Sequence, residues 1–344
     1  MIFRLFRHPS RKVIALISAL LWLIVISALH FILNSERPSR STEVLMGYMP
    51  VVTNLSAPLV DAASTGGAVH FQAIKFASFA EMAEAFRSGH IQVAFIIAPL
   101  AIALHQQGVP LKVVYIGNRH ESTLVVKKDL PCESLGDMVG KTIAVPLRYS
   151  GHLLALRRYL REHGLDPQAI RTVEIPPPDM PSALAANGID GYFVGEPFGS
   201  KAIQSGIGRK LVQVEDIWPK FICNLVIVRD DLVKSHPEWV QTLVSASVRA
   251  GFYARDHLEE TETLLCRYWG QDPRVISFTF SNPPGRFRFD LYVPLRGEMD
   301  EIAREMQLAG LLDGRFDPGE MVDDHFARAV SLKPVDSLDM IMVK

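Results

Sequence analysis

Cysteine is scarce in this chain and scattered. Cys132, Cys223 and Cys266 are its three cysteines, with no CxxC pair and no metal-ligand spacing to histidine. No disulfide framework or zinc site can be read from them, and isolated cysteines of this kind serve as small core residues. Whether any two of them pair is left open. The signatures of catalysis are missing as well. There is no GxSxG, no HExxH, no phosphate-binding loop and no Rossmann fingerprint. Asp179, Asp190 and Asp230 read as a helix cap, a strand start and a hinge residue, so no paired-carboxylate site stands out. The expectation is a chain without enzyme activity, cofactor or metal.

Positive charge is lacking where a nucleic-acid binder would need it. Residues 1–40 carry six Lys or Arg against the single acid Glu36, which leaves the remaining chain with 30 basic and 36 acidic side chains. A body of that sign offers no footprint for nucleic acid. What the amino terminus does have is a long apolar run. Val13 to Leu33 is 21 residues interrupted only by Ser18, Ser27 and His30, and Arg4, Arg7, Arg11 and Lys12 precede it. As a helix it would reach roughly 30 Å, the thickness of a bilayer core. Positive charges before such a span hold the amino terminus in the cytoplasm and export the body. The run exceeds the h-region of a signal peptide and no A-x-A site follows. The reading is an uncleaved signal anchor, with a cleaved signal or a buried soluble helix as the alternatives, followed by a polar linker from Asn34 to Thr42.

The body, in a chain of 344 residues that are 48% hydrophobic, is long enough for two domains with real cores. Two of its segments look like copies. Phe86 to Pro99 and Leu184 to Pro197 each contain a short amphipathic helix, a glycine at its end, an apolar run of strand length and a closing proline. With one gap at His90, Ile91 aligns with Ile189, Phe95 with Phe193 and Pro99 with Pro197. A repeated helix–Gly–strand–Pro unit points to two similar α/β lobes, with loops after the strands facing a shared crevice, where open α/β sheets bind ligands.

The remaining pattern fits two lobes. Strands are expected at 43–48, 69–76, 91–97, 111–117 and 122–126, and again at 142–145, 171–175, 189–195, 210–214 and 223–229. Helices are expected at 53–64, 79–87 (capped by Ser78, with Glu81 completing a capping box), 99–107, 152–163, 180–187 (capped by Asp179) and 199–205. Pro176-Pro177-Pro178 reads as an extended connector. Beyond His236 the chain is helical at 237–254, 257–269, 272–280 and 296–309. Arg229-Asp230-Asp231 echoes Lys127-Lys128-Asp129, and both are expected at one hinge. The domains are then 1–42 as signal anchor and linker, 43–130 plus 230–344 as a discontinuous first lobe, and 131–229 as the second.

Four loops would face the crevice. One offers Tyr48 and Met49, another Pro99. The third, Arg148-Tyr149-Ser150-Gly151-His152, joins a cation to the free N–H groups of a helix start, which favour an oxyanion. The fourth carries Glu196 and Phe198. Each residue has a plainer reading: Ser150 as a helix cap, Arg148 in an ion pair, Glu196 in a local contact, Tyr48 and Phe198 as core, His120 and His152 as surface or satisfied histidines. Glu196 opposes a simple anion at close range. Either Arg148 neutralises it or the ligand has a positive end.

Several motifs together resemble one family. Gly47-Tyr-Met-Pro50, the helix ending Phe86-Arg-Ser-Gly89, Pro176-Pro-Pro-Asp-Met-Pro181, Gly195-Glu-Pro-Phe198 and His236-Pro-Glu-Trp239 resemble the solute-binding proteins of ABC importers, of the nitrate/sulfonate/bicarbonate type. The resemblance covers about residues 43–330. It implies a two-lobed periplasmic-binding-protein fold of type II with a hinge, closing on a small anionic or zwitterionic solute. It also implies a periplasmic or extracytoplasmic location and delivery to a membrane permease with a cytoplasmic ATPase. Two departures stand against nitrate itself: Phe198 where nitrate and bicarbonate members have tryptophan, and Arg148-Tyr149-Ser150 in the polar crevice loop. The alternative is a ligand-sensing ectodomain that signals to a membrane partner without transport.

Overall fold

The computed structural model describes residues 11–34, 42–314 and 316–343. The chain divides into two compact units, Met1–Thr42 and Glu43–Lys344. In the first, helix α1 spans Arg11–Asn34, because its β-branched and leucine-rich run has no glycine or proline to break it. Side chains are described in α1 from Leu16 to Leu29. Among the described residues no helix is long and apolar enough to cross a membrane. The flanking Arg4 and Arg7 and residues 35–41 of the expected linker lie outside the described residues.

In the second unit the chain runs β1 (Thr42–Tyr48, whose first residue closes the amino-terminal unit), α2 (Ser56–Ser64), β2 (Val69–Lys75), α3 (Phe79–Arg87), β3 (Val93–Ile97), α4 (Ala98–Gln106) and β4 (Leu111–Ile116). A second series follows: β5 (Ser122–Lys127), β6 (Thr142–Val145), α5 (Gly151–Glu162), β7 (Arg171–Glu174), α6 (Met180–Ala185), β8 (Gly191–Gly195), α7 (Phe198–Gln204), β9 (Gly208–Gln213) and α8 (Val214–Ile217). Then come β10 (Asn224–Arg229), α9 (Asp230–Ser235), α10 (Pro237–Asp256), α11 (Leu258–Trp269), α12 (Pro273–Ser281), α13 (Arg296–Leu308) and α14 (His325–Arg328). Ser78 caps α3 by accepting from the N–H of Glu81. Asp179 makes no side-chain cap bond, because residues 177–179 form a turn of 3₁₀ helix rather than an extended connector. All three cysteines are free.

The strands form two sheets of five with one topology. The first orders β2-β1-β3-β10-β4, the second β7-β6-β8-β5-β9. Registers match strand for strand. Met46 pairs with Val93 and Ile143 with Gly191 in the parallel pairs, while Phe95 pairs with Val226 and Phe193 with Leu124 in the antiparallel ones. Each antiparallel strand then slips at the same place, after Val226 and after Leu124. Even a capping contact recurs: Gln92 Oε1 accepts from the N–H of Leu45 and Asp190 Oδ2 from that of Thr142.

The repeat needs no gap at His90. Gly89 and Asn187 occupy the same left-handed position, at φ 79° and 60°, and asparagine tolerates that conformation better than other residues with a side chain. The helix ends match as well: Gly89 N–H donates to Phe86 and Asn187 N–H to Leu184.

One expectation fails instructively. Strand β5 belongs to the second sheet and β10 to the first, the reverse of the expected lobes 43–130 plus 230–344 and 131–229. The chain therefore changes sheets at residues 117–121 and again between Val214 and Cys223. Lys127-Lys128-Asp129 and Arg229-Asp230-Asp231 are the corresponding outer ends of two equivalent strands, not two ends of a hinge. Their likeness reflects the repeat.

Strand β3 is buried on both faces, as strands inside mixed α/β sheets are. Val93 and Phe95 point toward α2, α10 and α11, while Ala94 and Ile96 point into a core continuous with Phe193 and Val194 of the second sheet. Helix α13 lies against both α4 and α5. Across that contact Arg158 Nη1 meets Glu301 at 2.5 Å, Arg161 Nη2 meets Glu305 at 2.7 Å, and Arg157 donates to the carbonyl of Ala309 at 2.7 Å.

Candidate functional site

The loops after β1, β3, β6 and β8 follow the carboxyl ends of their strands, and those after β1 and β8 meet. The N–H of Val52, in the turn after β1, donates to the carbonyl of Glu196 after β8 at 2.8 Å. The predicted residues on these loops part company. Tyr48 is core of the first sheet, its hydroxyl donating to the carbonyl of Tyr268 at 3.3 Å, with burial raising its pKa. Met49 is fully buried in the core between the sheets, and Pro99 is buried in the first turn of α4. Arg148 is exposed, its guanidinium 5.2 Å from the centre of the neighbouring Tyr149 ring. Ser150 caps α5, accepting from the N–H of Leu153. Phe198 is buried, and its carbonyl accepts from Tyr192 Oη at 2.8 Å. Arg148 does not pair with Glu196.

Glu196 and His152 instead enter a buried polar cluster where the chain changes sheets. Glu196 Oε1 accepts from Thr123 Oγ1 at 2.8 Å, and Oε2 accepts from the N–H of Ser200 at 2.7 Å, in the first turn of α7. Its own N–H donates to Glu121 Oε2 at 2.9 Å. Glu121 Oε1 accepts from Ser122 Oγ, and Ser122 Oγ lies 2.9 Å from His152 Nε2. Arg286 donates to Thr123 Oγ1 and to the carbonyl of Ser122, is paired with Glu215 at 2.8 Å, and stands 3.9 Å from Glu196. The backbone is shaped for this. A Cβ at Gly195 would fall 2.6 Å from Glu121 Oε2, and one at Gly199 would fall 2.9 Å from Glu196 Oε1.

Burial sets the protonation of the cluster. Desolvation pushes Glu121 up to about 7, with the Glu196 charge adding to the rise. It pushes His152 down to about 3, so the imidazole is neutral. Its Nδ1 is buried with no hydrogen-bond partner among the described residues. Cys223 Sγ lies 3.9 Å from His152 Nε2, yet burial and Glu121 raise its thiol pKa well above the ordinary value. A protonated thiol beside a neutral imidazole is not the ionised pair that a cysteine nucleophile requires. Among the described residues no group of three His, Cys, Asp or Glu is placed to hold a metal ion. On the first-sheet side, Asn224 Nδ2 donates to Asn54 Oδ1 at 2.8 Å, and Asn54 donates to the carbonyls of Met49 and Phe95.

Sequence reasoning missed Glu121, Ser122, Thr123, Asn54, Asn224 and Arg286. Glu121-Ser122-Thr123 does leave a trace, three polar residues leading directly into an apolar strand. Arg286 leaves none, because it arrives from more than 160 residues away.

Known proteins share both sequence and architecture with the chain. It is 28% identical over 259 residues to the nitrate import ATP-binding protein NrtC of Synechocystis, covering 67% of this chain and 38% of that protein. It is 31% identical over 181 residues to the taurine-binding periplasmic protein of Escherichia coli, covering 51% and 55%. The matched region thus spans about half or less of these relatives. Among solved structures, a ligand-binding component of an ABC-type import system from Staphylococcus aureus superposes with a TM-score of 0.76 at 21% identity, over 85% of this chain and 99% of that one. The desulfurization enzyme DszB superposes with a TM-score of 0.56 at 16% identity, over 83% and 98%. These likenesses establish a two-sheet α/β fold of the periplasmic-binding type. With residues 37–266 matching its pattern, the chain belongs to the NMT1-like family.

Proposed function

We propose that the chain is the extracytoplasmic solute-binding component of an ABC importer, capturing a small anionic or zwitterionic solute of the nitrate/sulfonate/bicarbonate class. The observation that carries this reading is the pairing of two topologically identical sheets whose strand-end loops meet at Val52 and Glu196. Such a repeat builds two lobes joined by two crossings, and crossings of this kind hinge in ligand-closing proteins. The lobes are residues 43–117 with 224–344, and 121–213. The relatives named for nitrate import and taurine binding support the solute class.

The solute site lies at the loop carrying Arg148, Tyr149 and His152, with the Glu196 loop closing it and the turns after Met49 and before Pro99 as its floor, and the solute is bound without being chemically changed. The partners are a permease and its ATPase. The apolar α1 keeps the body at the outer face of the inner membrane. In support, the large apolar side chains described in it, such as Leu20, Trp22 and Leu23, are more than half exposed, and a helix apolar on every side needs a core or a bilayer. A thermal-shift panel of nitrate, nitrite, bicarbonate, alkanesulfonates, taurine and pyrimidines tests the proposal. A ligand at 100 times its Kd raises stability by about 2.7 kcal/mol. A fully folded protein that responds to none of them contradicts it.

A further inference from the structure

We propose that Glu121, Ser122 and His152 form a proton relay that sets which hydrogen-bonding partner the solute site accepts, an N–H or O–H donor in one state and an oxyanion in the other. The inference rests on the solute-binding reading for the ligand and on hydrogen counting for the relay.

Three groups share two contacts, Glu121 Oε1 to Ser122 Oγ at 2.9 Å and Ser122 Oγ to His152 Nε2 at 2.9 Å. An ionised carboxylate only accepts, and a serine hydroxyl has one proton. With Glu121 ionised, Ser122 must donate to it, so His152 must donate to Ser122 from Nε2. The neutral ring then has no proton on Nδ1. That nitrogen, buried without a partner among the described residues, is a bare acceptor and takes a ligand N–H or O–H. With Glu121 protonated, the direction reverses. The acid donates to Ser122 Oγ, Ser122 donates to Nε2, and the ring proton resides on Nδ1, which now donates to an oxyanion. The only net change is the proton gained by Glu121; the two others shift along the chain.

The surrounding charges favour the same coupling. Glu121 faces Glu196 from β8, Cys223 from the second crossing, and Arg286. Arg286 is already occupied by Glu215, and the Cys223 thiol stays protonated. Ionised Glu121 therefore adds a second negative charge beside Glu196, and the nearby Arg286, 3.9 Å from Glu196, is already shared with Glu215. An oxyanion is favoured once Glu121 is neutral, and its binding takes up a proton.

The test is nitrogen-detected NMR of full-length protein with labelled histidine, using His152→Gln to identify the signal. On the acid side of about 7, where Glu121 titrates, Nδ1 carries the proton; on the alkaline side Nε2 does. Glu121→Gln, whose amide donates to Ser122 as the protonated acid does, holds the proton on Nδ1 at both pH values. Ser122→Ala abolishes the pH dependence. A tautomer that ignores pH in the wild type, or one unchanged by Glu121→Gln, overturns the relay. Affinity for nitrate falls about tenfold per pH unit on the alkaline side, whereas that for taurine does not. If neither probe binds while the tautomer switches, the solute class fails and the relay stands.

Discussion

Val52 N–H donates to the carbonyl of Glu196 at 2.8 Å, joining a turn of the first sheet to a turn of the second. Glu196 is itself fixed on three sides, by Glu121 through its N–H and by Thr123 and Ser200 through its carboxylate. On the proposed solute-binding function, closure of two lobes would register on this loop, which contacts from the second sheet hold. A change that disturbs this loop should alter both stability and solute affinity.

Gly195→Ala tests that packing. Its Cβ meets Glu121 Oε2 at 2.6 Å, inside a buried cluster that has nowhere to yield. The expected loss is about 1–3 kcal/mol, read by chemical denaturation. Gly297→Ala is the control: it lies in α13, where among the described residues an added Cβ meets nothing within 4 Å, and should stabilise by up to about 1 kcal/mol through helix propensity.

The contact between α5 and α13 is testable by a double-mutant cycle. Arg161 holds Glu305, whose side chain is 10% exposed, in a two-pronged contact at 2.7 and 2.8 Å. Arg161→Ala leaves that carboxylate largely buried and alone, at a cost of roughly 1–3 kcal/mol. Arg161→Ala combined with Glu305→Ala should cost less than the sum of the two, and strict additivity would refute the pairing.

Stability against pH carries opposed contributions from the cluster. Glu121 is raised from 4.5 to about 7, so its stabilisation is complete below 4.5 and is lost as pH rises through 7. His152 is lowered from 6.5 to about 3, so its stabilisation is complete above 6.5 and is lost as pH falls through 3. Between 4.5 and 6.5 the two slopes offset each other. Glu121→Gln should expose the histidine slope, with denaturation midpoints rising with pH across that window. Midpoints that fall there would reverse the assignment.

Arg148→Ala separates a ligand contact from a surface residue. The side chain is exposed and stacks on the neighbouring Tyr149, so stability should change by less than about 0.5 kcal/mol. Weaker binding of the solute identified by the thermal panel, with the fold intact, assigns Arg148 to the site. Unchanged binding removes it.

The repeat was legible because it is local. Phe95 and Phe193 sit in runs whose apolar pattern and flanking proline can be read from a dozen residues, and they occupy equivalent places in the two sheets. Asn187 was less legible, since asparagine marks a left-handed turn less strongly than glycine, and the repeat was given a gap it lacks. The exchange of β5 and β10 was not legible at all. Leu124-Val125-Val126 and Leu225-Val226-Ile227 are both buried apolar runs, and either fits either sheet until its partners are known. The site divided along the same line. Ser150 as a cap follows from its neighbours, but the cluster around Glu121 is assembled from β5, α5, β8, the second crossing and the loop carrying Arg286, and only the fold brings these together. The strand-end position of Glu196 was legible, but its partners were not: its carboxylate accepts from Thr123 and Ser200, because a buried acid at a strand end is held first by the hydroxyls and N–H groups beside it.

Amide hydrogen exchange at Val52 tests closure around a solute most directly. Its N–H is held by a 2.8 Å bond to Glu196 across the two strand-end loops, so opening of those loops exposes it. Adding the solute that stabilises the protein in the thermal panel should slow exchange at Val52 in proportion to occupancy, while amides inside β3 stay unchanged. Exchange at Val52 that is indifferent to a saturating, stabilising solute would contradict closure of the two lobes upon it.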